Sequence, residues 1–94
     1  MAEFDPVLFT KAMADETRQK IMKLCCCRSL SVNEIVEHIN VTQPTVSHHL
    51  AILREAGLVD IQEKGKQTFY SLNQKRVSIC CGKLKVYFAP EEST

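Results

Sequence analysis

Two helical patterns joined by a tight turn constrain the fold of this chain more than any other feature. Ser31 and Glu34 form a capping box, in which the serine oxygen accepts a backbone N–H and the glutamate reaches back to the cap. After a turn at residues 40–41, Thr42 is a suitable cap for a second helix, and Gly57 is typical of the left-handed residue that ends one. Short helices connected in this way form a helix-turn-helix.

The segments on either side of this unit predict further helices and a hairpin. Asp5 and Asp15 are suitable N-caps for two preceding helices, and Asn73 caps a last helix that Pro90 ends. Between Gly57 and Asn73 the period changes to that of β-strands, with a turn at residues 63–66. The apolar face of the last helix is expected to contain Val77, Cys80 or Cys81, Leu84 and Phe88.

The predicted order α-α-α-α-β-β-α is a mostly helical α+β fold of the winged helix-turn-helix class. We expect one domain over residues 1–94, with a recognition helix at about 42–56, a wing at about 58–72 and a C-terminal helix at about 73–89. A chain of this size buries only about 60 to 65% of the surface that its unfolded form exposes. Its core is therefore thin, and we expect a homodimer.

Nothing in the sequence predicts a membrane segment or an export signal. No apolar run approaches the roughly 18 residues that a spanning helix needs. The first residues, MAEFDPVLF, are acidic where a secretory signal is basic. We therefore expect a cytoplasmic protein.

The fourth predicted helix has the outer face that a DNA-reading helix needs. Val46, Leu50 and Leu53 share one side at helical spacing, which leaves small and polar residues on the other side. Short hydroxyls, an amide and an imidazole can address base edges in the major groove, and a helix N-terminus favours a phosphate. The contact candidates on this helix are Gln43, Thr45, Ser47, His48 and Arg54. A polar outer face is also ordinary for any surface helix, so this feature alone leaves both interpretations open.

The predicted hairpin turn adds positive charge beside this helix. Lys64 and Lys66 flank Gly65, where their ammonium groups can reach a phosphate backbone. The whole chain is less basic, since 12 Lys and Arg against 11 Asp and Glu give a net charge of +1. Because Glu55 and Glu63 oppose binding, we expect modest affinity for DNA per subunit and a need for two copies. A winged-helix module that docks on proteins without DNA is the alternative from another class.

Four motifs cover much of the chain between residues 14 and 59. They are ADETR at residues 14–18, LSVNEI at 30–35, TQPTVSHHL at 42–50 and LREAGLV at 53–59. These motifs resemble the ArsR/SmtB family of winged helix-turn-helix repressors. The resemblance implies a homodimeric repressor with an interface on its first and last helices, and fourth helices that enter successive major grooves of double-stranded operator DNA. It also implies release from DNA by a thiophilic or transition metal or, in some members, by thiol oxidation or persulfides.

The sequence departs from the best-known metal sites of that family. Members with a metal site on the third helix carry a C-V-C core, where this chain has Ser31, Val32 and Asn33. The zinc site on the last helix needs Asp, His and Glu, and residues 73–90 contain none of these. These ligand sets therefore do not transfer to this chain.

The five cysteines, at residues 25–27 and 80–81, supply the remaining candidates for a sensor site. An odd number of cysteines in a cytosolic chain argues against structural disulfides. The chain also has no C-x-x-C motif, which a zinc ribbon needs. Soft ions such as arsenite, antimonite or cadmium favour thiolates. We expect such an effector to bind Cys25, Cys26, Cys80 and Cys81. Thiol oxidation or persulfide formation is the alternative effector chemistry, and simple packing of cysteines in the core is the alternative without sensing.

Basic residues near the cysteines are expected to lower their pKa values, which would favour either sensing chemistry. These residues are Lys23, Arg28, Lys83 and Lys85.

The motifs do not supply the residues of an active site. No nucleophile and base pair, paired acids or phosphate-binding loop can be assembled from them, so we expect a protein that is not an enzyme. The sequence leaves the cofactor open, with a thiophilic ion as the favoured effector.

Overall fold

A computed structural model describes residues 4–92 of the chain. The helices are α1 (Pro6–Met13), α2 (Glu16–Leu24), α3 (Val32–Ile39), α4 (Gln43–Glu55) and α5 (Gln74–Phe88), and the strands are β1 (Leu30–Ser31), β2 (Val59–Lys64) and β3 (Gln67–Leu72). A 3₁₀ turn over Pro90–Glu92 follows α5. The predicted winged helix-turn-helix fold is confirmed, with α3 and α4 as the helix-turn-helix and β2 and β3 as the wing. Between residues 4 and 92, no helix has the length and apolar character needed to cross a bilayer.

Polar caps start the helices, as the sequence predicted. The caps are Asp5, Asp15, Ser31, Thr42 and Asn73. The capping box of α3 is complete, because Ser31 Oγ accepts the N–H of Glu34 at 3.2 Å and Glu34 Oε1 accepts the N–H of Ser31 at 2.9 Å. Asn40 ends α3 in the left-handed conformation, with φ of 54°. These local interactions set the length of α3 and the sharp turn before α4.

Gly57 connects α4 to the wing. Its φ of 74° lies in the left-handed region, and a Cβ atom built on it would lie 2.9 Å from Cδ of Arg76. Glycine is therefore needed both for its backbone conformation and for space. The N–H of Leu58 donates to the carbonyl of Leu53 at 2.9 Å, so the chain turns from α4 directly into β2.

The sheet contains a strand that the sequence analysis did not predict. Strand β1 pairs with β3 in antiparallel register, which gives the order β1-β3-β2. Leu30 lies opposite Tyr70 and Ser31 opposite Phe69. Two residues are too few to show a strand period, and their pairing partner is distant in the sequence. This strand joins the wing to the start of α3.

The wing turn is shorter than predicted. Strand β2 continues to Lys64, which lies opposite Gln67, so residues 63 and 64 belong to a strand and not to the turn. Gly65, with φ of 63°, and Lys66 make the connection. A two-residue connection of this kind follows the twist of the flanking strands and extends them.

The core lies between α2, α3, α4 and the sheet, and α5 packs on it with only part of its length. Cys80, and not Cys81, faces the core from α5. The expectation that Phe88 shares this face is wrong, because its side chain is 71% exposed. The Cα radius of gyration of 14.2 Å exceeds the roughly 12 Å typical of a compact chain of this length. The molecule is therefore elongated and leaves apolar surface on α5 uncovered.

Candidate nucleic-acid interface and thiol clusters

The outer face of α4 is open to solvent. Val46, Leu50 and Leu53 are buried beneath it, as their spacing predicted. The exposed side chains are Gln43, Pro44, Thr45, Ser47, His48, Ala51, Arg54 and Glu55. Every contact candidate predicted on this helix therefore lies at the surface, on a face without large apolar side chains.

A buried arginine anchors the middle of α4 to the first two helices. Arg18 is only 7% exposed, and its guanidinium donates to the carbonyls of Ala12 at 2.8 Å and Lys11 at 2.9 Å. Its Nη1 also donates to Nδ1 of His49 at 3.0 Å. Sequence analysis noted Arg18 only within the ADETR motif, because nothing in its local spacing indicates burial. The network fixes the orientation of α4 against the body of the molecule.

This network holds His49 in its neutral form. Arginine can only donate, so Nδ1 of His49 must accept. Burial lowers the pKa of His49, and the charges of Arg18 and His48 lower it further, whereas Asp15 raises it. Protonation of His49 would therefore weaken the link between α4 and Arg18.

The wing and the N-termini of α3 and α4 surround a cleft of about 290 Å³. Gln43 lines it from α4 and Lys66 from the wing turn, so the structure brings together two candidates that lie far apart in the sequence. Asn33 and Thr68 also line this cleft, and sequence analysis missed both. No local pattern marks them, because their proximity to Gln43 depends on the pairing of β1 with β3.

A second groove, of about 380 Å³, follows α4 toward its C-terminus. Ser47 and Arg54 line it from α4, and Tyr70 lines it from β3. Tyr70 also lines the cleft beside Gln43, so it forms part of the wall between α4 and the wing. Sequence analysis assigned Tyr70 to a strand but not to the interface.

The remaining candidates have intramolecular contacts at the surface. The hydroxyl of Thr45 lies 2.8 Å from that of the cap residue Thr42. The His48 ring lies 5.5 Å from the His49 ring, measured between centroids. The ammonium group of Lys64 lies 5.9 Å from the centre of the Phe69 ring. Neither His48 nor Lys64 lines the two grooves.

The cysteines divide into buried and accessible thiols. Cys25 and Cys80 are buried in the core, Cys26 is half-buried, and Cys27 and Cys81 are exposed. The Sγ atoms of Cys26 and Cys27 lie 2.9 Å apart. Over residues 4–92, no three His, Cys, Asp or Glu side chains come together in a group suited to a metal ion. The predicted set Cys25, Cys26, Cys80 and Cys81 is thus not assembled as a metal site within this part of one chain.

The expected lowering of thiol pKa values is wrong for two of these residues. Burial raises the pKa of Cys25 to about 11, an effect that outweighs the positive charge of Arg28. The hydrogen bond with Cys27 raises the pKa of Cys26 more than Lys23 and Arg28 lower it. Both thiols are therefore mainly protonated near neutral pH.

Comparison with known proteins identifies similar regulators. The sequence profile described as "Bacterial regulatory protein, arsR family" matches residues 15–60. The chain is 41% identical over 63 residues to the transcriptional repressor SdpR of Bacillus subtilis, which covers 67% of this chain and 70% of SdpR. It is 37% identical over 78 residues to an arsenical resistance operon repressor of the same organism, with coverage of 76% of this chain and 74% of the repressor.

Solved structures extend this similarity to the wing and α5. HlyU from Vibrio cholerae matches with a TM-score of 0.72 and 33% identity, over 87% of this chain and 89% of HlyU. An ArsR-like transcriptional regulator from Rhodococcus matches with a TM-score of 0.83 and 21% identity, over 92% of this chain and 79% of the regulator. At that identity the second match supports the fold alone. These matches include elements on both sides of the helix-turn-helix.

Proposed function

Because this chain belongs to the arsR family of bacterial regulatory proteins, which are DNA-binding transcriptional regulators and not enzymes, we propose that it is a dimeric, sequence-specific transcriptional repressor. The observation that carries this proposal is the cleft that Gln43 of α4 shares with Lys66 of the wing. A helix that reads bases and a hairpin that contacts phosphates must approach one duplex together, and this cleft supports such an approach.

The exposed side chains of α4 and the wing divide into two roles in this proposal. The polar groups on α4 address base edges in the major groove. They are Gln43, Thr45, Ser47 and His48. Arg54, Lys64 and Lys66 provide positive charge for phosphates, which fixes the position of the protein on the duplex. Since DNA is the proposed partner, we propose that the protein acts in the cytoplasm.

The uncovered apolar surface supports a dimer through the first and last helices. The exposed apolar side chains are Val7 at 72%, Val86 at 55%, Tyr87 at 65% and Phe88 at 71%. Val86 and Tyr87 line a groove of about 430 Å³ together with Phe4 and Ile79. Apolar patches of this kind are typical of protein interfaces. Two copies would also supply the second recognition helix that a chain of net charge +1 needs for stable binding.

We propose that chemistry at cysteine releases the repressor from DNA. The name of a similar protein supports this step, because one match is an arsenical resistance operon repressor. A soft metal or metalloid such as arsenite, antimonite or cadmium is the favoured effector, with ligands among Cys25, Cys26, Cys80 and Cys81. Oxidation or persulfide formation at these thiols is the second candidate chemistry.

A selection from random duplex DNA tests the proposal. The reduced protein is expected to enrich a sequence with two half-sites about one helical turn apart. Affinity for that sequence should fall linearly with the logarithm of salt concentration, and arsenite, antimonite, cadmium or hydrogen peroxide should weaken it. Failure to bind any duplex would contradict the proposal and favour a protein-docking module. Binding that none of these reagents changes would remove the sensor and leave the repressor.

A further inference from the structure

A small cavity lies where α1, the end of α4 and the start of α5 meet. Its volume is about 150 Å³, and Asp5, Glu55 and Arg76 bring three charged groups to it. None of these residues is a proposed contact with DNA, and the groove assigned to the dimer shares only Phe4 with this cavity. The cavity is therefore used by neither part of the proposed function.

The local backbone holds the guanidinium of Arg76 at the wall of this cavity. Its Nε and Cζ atoms would lie 3.0 Å from a Cβ atom built on Gly57, so the guanidinium lies directly against the chain at a residue without a side chain. The N–H of Arg76 donates to Oδ1 of Asn73 at 2.9 Å, which fixes the first turn of α5. The Arg76 side chain is half-buried, so its positive charge has a defined position.

Arg76 is not needed to cap α4. The N–H groups of Gly57 and Leu58 each donate to a carbonyl in the last turn of that helix, at 2.9 Å, which is a Schellman motif. Within the described part of the chain, the side chain of Arg76 takes part in no hydrogen bond and no ion pair. A guanidinium carries five N–H donors. These donors are therefore available to a ligand.

Asp5 lines the same cavity with one carboxylate oxygen that the cap of α1 does not use. Its Oδ1 accepts the N–H of Val7 at 3.0 Å and that of Leu8 at 3.1 Å. Its Oδ2 takes no part in this cap, so it can accept from a ligand while α1 stays capped. Glu55 adds a second negative charge. The cavity thus offers a cation and anions to the same ligand.

The charges and the size together define a class of ligand. The guanidinium fork of arginine matches a carboxylate, and the carboxylate of Asp5 suits an ammonium group. Phe9 and Cys80 are buried and provide an apolar wall. A cavity of about 150 Å³ can hold benzene, so the ligand should have roughly six to nine non-hydrogen atoms. A small zwitterion with an aliphatic end meets these requirements.

We propose that this cavity binds a free aliphatic α-amino acid of the size of valine or leucine. The carboxylate of the amino acid contacts Arg76, and its ammonium group contacts Oδ2 of Asp5. The aliphatic side chain packs against Phe9 and Cys80. A simple anion would meet the charges of Asp5 and Glu55 without a positive group of its own, and like charges placed together weaken binding. The zwitterion is therefore favoured over a simple carboxylate.

A bound amino acid would connect three elements of the fold. Arg76 belongs to α5, Asp5 begins α1, and Gly57 joins α4 to the wing. A ligand held by Arg76 and Asp5 would restrict how these elements move relative to the recognition helix. We expect it to change the affinity for DNA by at least about fivefold. This consequence rests on the proposed function, whereas amino-acid binding itself does not.

Isothermal titration calorimetry of the reduced full-length protein with L-valine and L-leucine tests the site. We expect one site per chain with a dissociation constant of about 1 mM or below, which is reasonable for a ligand of so few atoms. Isobutylamine lacks the carboxylate of valine, and isovalerate lacks its ammonium group. Because Arg76 is half-buried and Asp5 is exposed, isobutylamine should bind most weakly, and isovalerate should lie between it and L-valine.

Two variants remove the charges of the site one at a time. Arg76→Gln should weaken L-valine binding at least about tenfold. Asp5→Asn keeps a residue that caps helices well and should weaken binding about two- to fivefold. Lys75→Gln is the matched control, because it removes the neighbouring positive charge of α5 outside the cavity, and it should leave binding unchanged. Urea midpoints that match the wild type would show that the variants remain folded.

Four results would overturn the site. They are the absence of binding by either amino acid at about 10 mM, equal binding of L-valine by Arg76→Gln and the wild type, loss of binding in Lys75→Gln, and binding of isobutylamine as tight as that of L-valine. Isovalerate that binds as tightly as L-valine would contradict the contact with Asp5 and the assignment to a zwitterion.

The effect on DNA is measured separately, by fluorescence anisotropy with the selected duplex. L-Valine should change the affinity of the wild type and leave that of Arg76→Gln unchanged. Binding of the amino acid by a protein that binds no DNA would overturn the proposed repressor function and retain the site. Binding that leaves DNA affinity unchanged would overturn the coupling alone.

Discussion

Helices α4 and α5 have similar lengths and each buries one face, but their outer faces differ. The outer face of α4 carries short polar side chains. The end of α5 exposes Val86, Tyr87 and Phe88. Water solvates the first surface well and the second poorly, so the two surfaces suit different partners. The spacing of the buried residues shows that each segment is a helix, whereas the residues on the exposed face determine which partner that helix can bind.

The largest expected effect concerns the buried stripe that both helices have. Leu53→Ala removes a fully buried side chain from α4 and should lower the free energy of unfolding by about 2 to 5 kcal/mol. Urea denaturation followed by circular dichroism measures this loss. Leu84→Ala, at a half-buried position of α5, is the matched control and should cost less. An equal loss in both variants would show that the two helices depend on the core to the same extent.

The outer face of α5 is tested by Tyr87→Ala. An aromatic anchor at the centre of an interface contributes about 2 kcal/mol or more, so the dissociation constant of the proposed dimer should rise about thirtyfold or more. Sedimentation equilibrium gives this constant directly. His48→Ala on α4 is the control and should leave it unchanged. A monomeric wild type, or a dimer that tolerates Tyr87→Ala, would contradict the role given to this surface.

The outer face of α4 is tested by the same His48→Ala variant and by Ser47→Ala. Each should weaken binding to the selected duplex by about 1 to 3 kcal/mol while changing affinity for random duplex little. Fluorescence anisotropy with both duplexes measures the difference. If either variant lost affinity for both duplexes equally, the assignment of that residue to base reading would be wrong.

The wing is expected to contact DNA phosphates through its positive charge and not to recognise bases. Lys66→Ala should weaken binding to all duplexes by a similar factor and reduce the slope of log affinity against log salt by about 1. Lys20→Ala removes an exposed lysine that pairs with Glu16 on α2 and should leave both quantities unchanged. A change in sequence preference for Lys66→Ala would indicate that the wing reads bases.

The smallest expected effect is a pH dependence in the anchoring of α4. The pKa of His49 is lower in the folded state, chiefly through burial, so the unfolded state binds more protons as the pH falls below about 6.5. Stability should therefore be full above that pH and decrease as the solution becomes more acidic. Urea midpoints between pH 7.5 and 5.5 measure this trend. His49→Gln should show a weaker pH dependence, and an unchanged one would assign it to another group.

Local sequence determined the helices and much of the surface assigned to DNA. Caps at Asp5, Ser31 and Thr42 depend on hydrogen bonds to residues two or three positions away, so they can be recognised without the rest of the molecule. The buried stripe of α4 and the exposure of Ser47 and His48 follow from helical periodicity in the same way. The motifs at residues 42–59 then predicted the family that the comparisons confirm.

Only the tertiary structure decided which distant residues meet. The pairing of β1 with β3, the cleft between Gln43 and Lys66, and the hydrogen bond of Arg18 to His49 join segments far apart in the chain. Burial likewise raises the pKa of the Cys25 thiol, against the expectation from nearby basic residues. Periodicity and caps report on neighbours within about one helical turn, whereas these contacts depend on how the elements pack.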